Sequence, residues 1–168
     1  MESRTIGRLA LIVMALFPAL WGLLGFLNDA TDFNGTVNNA VKPMIEMTGI
    51  YNNPWQNWRA MTAPWAAPVA LTLIMSVELA AGVLGSIGVA SMLLRFRAGA
   101  ADFARAKAFM ILGCLAAVLV WGVGFMVIAG DWFLAWERSQ GGTQLGAMVY
   151  FLPCALALIV ALIHREED

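Results

Sequence analysis

Apolar residues gather along this chain into four long runs separated by short polar stretches. The runs show neither the two-residue alternation of a half-buried strand nor the narrow stripe of a surface helix. They predict helices at about 8–28, 68–94, 105–129 and 145–163, each offering the roughly 20 residues that cross the hydrocarbon layer of a bilayer. A barrel wall would need alternation, and backbone groups at that depth must be satisfied within their own segment, so helices are the solution. The expected fold is all-α: a polytopic membrane protein with one domain over 1–168, a four-transmembrane-helix bundle whose outer loop, 29–67, carries short interfacial helices.

Composition agrees with this pattern. Of 168 residues, 61% are hydrophobic and 12% charged, with a mean hydropathy of +0.75. A soluble domain carries about a quarter charged residues, so this chain cannot cover a water-facing surface. The length allows one domain. A formal net charge of −1 excludes the dense basic face that nucleic acid requires.

The charges are unevenly divided. Arg4 and Arg8 precede the first span, Arg95, Arg97, Arg105 and Lys107 lie between the second and third, and Arg165 follows the fourth. An even number of spans puts these on one side, against Lys42, Arg59 and Arg138 on the other. The asymmetry predicts a bacterial inner-membrane protein with both termini cytoplasmic. Arg95, Arg105 and Lys107 are expected to snorkel to the headgroups. The stretch after Trp21 offers no small-residue cleavage site, so the first span is expected to be retained.

The long outer loop should fold over the membrane surface. Val37, Val41, Met44 and Ile45 recur at helical spacing, with Pro43 able to split or kink that turn. A second short helix is expected from Asn53 as N-cap, Pro54 at the first position and Gln56 as capping-box partner. Trp55, Trp58 and Trp65, beside Arg59, and then Asp131, Trp132, Phe133 and Trp136 form an aromatic outer surface with Trp21 nearby. It reads either as a belt that fixes depth or as a docking surface for a partner subunit, a quinone or a lipid headgroup.

Glu78 stands alone inside the second span, with no arginine or lysine at matching depth in the others. An ionised carboxylate there costs several kcal/mol or more unless paired, so Glu78 should face the bundle interior as a hydrogen-bonded neutral acid. It is a polar lock, a proton or cation site, or a contact for a partner or quinone. Gly82, Gly85 and Gly88 follow at three-residue steps, and Ala15, Ala19 and Gly22 offer similar small surfaces for close helix packing.

Recognisable chemistry is otherwise sparse. Cys114 and Cys154 lie in apolar runs as buried small residues, able to approach each other if the third and fourth spans pack together. The only histidine, His164, excludes a bis-histidine haem within one chain. HExxH, GxSxG and glycine-rich phosphate motifs are absent. Asp131 and Glu137 are the carboxylates an outer-face enzyme or cation site would use. No cofactor is expected beyond a bound lipid or quinone, and the expected partners are membrane lipid and other membrane subunits.

Several stretches together resemble a bacterial family of predicted small integral membrane proteins of unknown function (domain-of-unknown-function family 2165). They are 28–34 (NDATDFN), Trp58-Arg59-Ala60, the intramembrane Glu78, and Gly130-Asp131-Trp132-Phe133 leading to Trp136. The resemblance covers nearly the whole chain and implies a four-helix membrane protein. Family members tend to carry a histidine and a Met-Asp pair where this chain has Val41-Lys42-Pro43-Met44-Ile45-Glu46-Met47-Thr48, so a role for that histidine does not carry over. The leading expectation is an accessory or assembly subunit of a larger membrane complex, respiratory or otherwise redox. The rivals are a proton- or ion-coupled transporter using Glu78 and a quinone- or lipid-interacting protein at the outer interface.

Overall fold

Each long apolar run closes its backbone hydrogen bonds within itself, and the chain becomes a bundle of helices. The computed structural model describes residues 3–51, 53–139 and 142–166. The first long helix, α1, spans Ser3–Thr31, and the short α2 (Phe33–Thr36) and α3 (Lys42–Ile45) follow, joined by a π-helical turn, Val37–Val41. α4 spans Ala66–Leu94. The third run contains α5 (Ala100–Ala106), α6 (Ala108–Ala117) and a π-helical segment, Val118–Trp132. α7 (Ala135–Ser139) and α8 (Gly142–Ile163) complete the chain. Among the described residues, four helices are long and apolar enough to cross a membrane. The all-α, four-span expectation holds.

Small residues set the packing. α1 and α4 lie against each other along most of their length. A Cβ added at Gly82 would sit 2.6 Å from the Leu23 backbone nitrogen, and one at Gly85 2.6 Å from that of Ala19. A Cβ at Gly88 would fall 2.5 Å from the Met110 nitrogen, and one at Gly113 2.7 Å from the Gly85 nitrogen. Three helices therefore meet at Gly85, where no side chain fits. Close approach of this kind supplies the dispersion contacts that replace the hydrophobic effect inside a bilayer. Large apolar side chains such as Val13, Leu73, Val127 and Leu152 point outward instead.

Three clusters of buried side chains follow one another along the bundle. Leu11, Ala15, Met92, Phe103, Met110 and Ala157 fill the end near the termini. Ala81, Ala117, Val120, Trp121 and Cys154 fill the middle. Val37, Val41, Ile45, Leu71, Phe133 and Leu134 build a cap at the loop end. Cys114 and Cys154 are buried free thiols on packed helices, near enough to interact electrostatically.

Pro43 stands in the first turn of α3, directly after the wider turn Val37–Val41, so the loop helix changes geometry at the proline as its sequence allows. The cap differs from its sequence-based expectation in two ways. The helix expected from Pro54 is instead a turn followed by one 3-10 turn, Asn57–Arg59. Asn53 does start that turn, its side-chain oxygen accepting from the Trp55 amide at 3.1 Å, but Ala60 is extended and Met61 donates its amide to the Ile45 carbonyl at 2.8 Å. That bond draws the chain away from a helical path. Phe133, expected on the outer aromatic surface, is only 6% exposed and packs into the cap core.

The other end is tied by basic residues. Arg8, 2% exposed, donates from Nε to Glu166 Oε1 at 2.8 Å, and from Nη1 to the Phe96 and Ala98 carbonyls at 2.6 and 2.9 Å. Its guanidinium also lies 4.4 Å from the centre of the Phe103 ring. Lys107, expected to snorkel to headgroups, instead donates to the Ala161 and His164 carbonyls at 3.0 and 2.7 Å. Those carbonyls close α8 and would otherwise lack partners, so the ammonium caps the helix where its dipole favours a cation.

Candidate functional site: a carboxyl-lined pocket in the bundle

Glu78 is 5% exposed and faces α1 from the middle of α4. Its position depends on a gap in the facing helix: a Cβ at Gly25 would lie 2.9 Å from Glu78 Oε1 and 3.2 Å from Oε2. Three residues earlier, Gly22 packs against the Glu78 carbonyl and the Gly82 nitrogen. The hydrogen-bonded lock expected for this carboxyl is not what the structure contains. Glu78 Oε2 is buried and makes no hydrogen bond among the described residues. Ser76 and Ser86, the nearest hydroxyls on its own helix, bond instead to the Thr72 and Gly82 carbonyls.

The carboxyl lines a cavity of about 570 Å³ between the loop-end halves of α1 and α8. α1 contributes Trp21, Gly25 and Asp29, the π-helical segment Trp121 and Phe125, and α8 Tyr150. Tyr150 lies between two indoles, stacked on Trp121 at 5.4 Å and edge-on to Trp21 at 5.2 Å. Asp29, one turn beyond Gly25 on α1, lines the same cavity and is within electrostatic reach of Glu78. Two carboxyl groups and four aromatic side chains therefore share one compartment. Among the described residues, no arginine, lysine or histidine lines it. The arrangement can hold a proton on Glu78 or accept a cation, and it repels anions.

Asp29, Gly25 and Tyr150 were not singled out by sequence. A usable signal exists: Trp21, Gly25 and Asp29 fall at four-residue steps, one face of one helix. What hid it was the position of Asp29 at the end of an apolar run, where a charge reads as an ordinary boundary.

The outer aromatic residues form a separate surface. Arg59 lies 5.3 Å from the Trp132 ring centre and 6.0 Å from that of Trp58, and the two indoles meet edge to face at 5.6 Å. Arg59 Nη1 reaches the Asp131 and Trp132 carbonyls at 3.5 and 3.4 Å. Trp136 meets Tyr51 edge-on. The Tyr51 amide donates to Glu137 Oε2 at 2.9 Å, so the nearly buried Glu137 carboxylate pins the loop. Trp55, 87% exposed, and Trp65 point away from the bundle. Asp131 is exposed at the end of the π-helical segment. Asp131 and Glu137 thus share a surface with the tryptophans and do not enter the Glu78 cavity.

Comparison with curated proteins and with solved structures finds no match. The family profile described as "Predicted small integral membrane protein (DUF2165)" matches residues 7–164, a stretch that contains all four long helices almost entire and every residue of the pocket. The chain belongs to the DUF2165 family of predicted small integral membrane proteins.

Proposed function

We propose that this protein is a small proton- or cation-coupled membrane carrier in which Glu78 is the group that loads and unloads. One observation carries the reading: a buried glutamate with one carboxyl oxygen lacking a hydrogen-bond partner among the described residues lines a cavity that also holds a second carboxyl group. An unpaired ionised carboxylate at that depth is costly, so Glu78 either takes a proton or meets a cation. The test is flux in proteoliposomes carrying a trapped pH dye. An imposed gradient should collapse faster than in protein-free vesicles, and Glu78→Gln should remove most of that difference. Unchanged flux in Glu78→Gln excludes the carboxyl from the mechanism.

A second reading, an accessory or assembly subunit of a larger membrane complex, is favoured by the exposed indoles Trp55, Trp58 and Trp65. Capture in mild detergent should then recover a stoichiometric partner, whereas a stable, pure homo-oligomer counts against it. The surrounding lipid is a partner in either case, and the groove of about 310 Å³ lined by Leu73, Ile74, Val77, Leu119, Val123 and Phe125 has the apolar lining that suits an acyl chain. An enzyme at the outer face is less well supported, since the Glu137 carboxylate holds the loop down.

The charge asymmetry supports an orientation with both termini in the cytoplasm, which suits the inner membrane of a bacterium. An impermeant maleimide tests the sidedness, because the native thiols of Cys114 and Cys154 are buried. Trp55→Cys should react in intact cells and Gly99→Cys only after permeabilisation. The reverse pattern would invert the topology.

A further inference from the structure

We infer that the Glu78 pocket binds a hydrophobic organic cation, with its ammonium head between Glu78 and Asp29 and its apolar substituents against Trp21, Trp121 and Tyr150. The inference rests on the reading of Glu78 as the working carboxyl and adds the class of molecule it meets.

The chemistry of the lining selects the ligand. An anion would face two carboxyl groups with no basic side chain in the wall. A hard metal ion asks for six or more oxygen ligands, and the described residues contain no group of three or more His, Cys, Asp or Glu able to hold one. A substituted ammonium is different. It gives up its water cheaply, and the negative faces of indole and phenol rings replace part of that hydration. The volume, about 570 Å³, lies in the range of small-molecule sites, which are mostly apolar with a few converging polar groups.

The wall is also built to keep the charge available. Gly25 leaves the space that the Glu78 carboxyl occupies, and Glu78, 5% exposed, lines the cavity with its Oε2 unpaired among the described residues. Asp29 lies one turn beyond Gly25 on the same face of α1, so a second carboxyl group stands in the same wall. Tyr150 is held between two indoles and keeps the aromatic side of the pocket in place. The remaining polar groups of the wall, Asn28 and Thr143, are uncharged and lie with Asp29 towards the loop end.

Calorimetric titration of the detergent-purified full chain with benzyltrimethylammonium tests this directly, with neopentylbenzene as its uncharged isostere and benzenesulfonate as an anion. Saturable binding of the cation alone is expected. Glu78→Gln should weaken it about ten-fold, the loss of one charge-assisted contact. Trp21→Leu should weaken the cation about three- to ten-fold, and it keeps the inference testable if Glu78→Gln does not fold. Absence of binding by the wild-type chain overturns the inference. So does equal binding of neopentylbenzene, or wild-type affinity in whichever of the two variants fold. Binding without Glu78-dependent flux would leave this inference standing and remove the carrier reading. Glu78-dependent proton flux without ammonium binding would do the opposite.

Discussion

The bare Cα of Gly25 faces the Glu78 carboxyl so closely that a methyl group added there would lie 2.9 Å from Oε1 and 3.0 Å from the carboxyl carbon. One helix leaves out a side chain so that the other can place an acid. Gly25→Ala should therefore push the carboxyl out of position without disturbing the rest of α1. Dicyclohexylcarbodiimide, which modifies protonated carboxyl groups in apolar surroundings, provides the measurement. Mass spectrometry should find labelling at Glu78 in the wild type and several-fold less in Gly25→Ala.

Gly85 sits where α1, α4 and α6 converge, facing Ala19 on one side and Gly113 on the other. A Cβ there would meet the nitrogen, Cα and Cβ of Ala19, none of which can rotate aside. Gly85→Val should destabilise the bundle by about 1–3 kcal/mol, the usual cost of overpacking. Gly99→Ala is the matched control, since a Cβ there meets nothing within 4 Å. Thermal unfolding in one detergent should separate the two variants clearly.

Arg8 and Glu166 join the first span to the segment after the last one, 158 positions apart. Removing the guanidinium takes the donor from the Phe96 carbonyl and leaves Glu166 and the Ala98 carbonyl with Arg4 alone. Arg8→Ala should cost about 2–3 kcal/mol and raise hydrogen exchange at the end of α8. Arg4→Ala, whose partner contact with Glu166 is at 3.2 Å and exposed on the arginine side, should cost well under that.

The same contact gives the stability a pH dependence. The Arg8 hydrogen bond holds Glu166 below the usual carboxylate range, so the contribution is complete at neutral pH and is lost as pH falls through that lowered range. His164 is also held below its ordinary value, by burial first and then by the nearby Lys107 charge. Protonating it is harder in the folded chain than in the unfolded one, which again favours folding at higher pH. Stability should decline below about pH 6.5 as unfolded histidine takes up its proton, and further in the acid range. Glu166→Gln should remove the acid-range part of the slope and leave the part near neutrality.

How much of this was legible in the sequence depends on the range of the interaction. The four spans follow from length and apolarity alone, and the small-residue positions Gly82, Gly85 and Gly88 follow from three-residue spacing. Partner choice does not. Arg8 reads as a topology signal until Glu166 is folded beside it, and Lys107 reads as a headgroup contact until the end of α8 arrives above it. The helix expected at Pro54 obeyed its start signal at Asn53 but was overruled by the tertiary bond from Met61 to Ile45. Glu78 was conspicuous as an isolated charge, whereas the pocket around it needs residues from four helices, and no local pattern contains that information.

Buried guanidinium and ammonium groups rivet the terminal end of the bundle, where Arg8 and Lys107 together draw α1, the segment after α4, and α8 into one knot. At the opposite end α1 and α8 both line the Glu78 cavity instead of packing on a shared knot of charges. Local opening is therefore expected to cost less around the acid-lined wall than at the riveted joint, which directs the route of a guest to that end of the bundle.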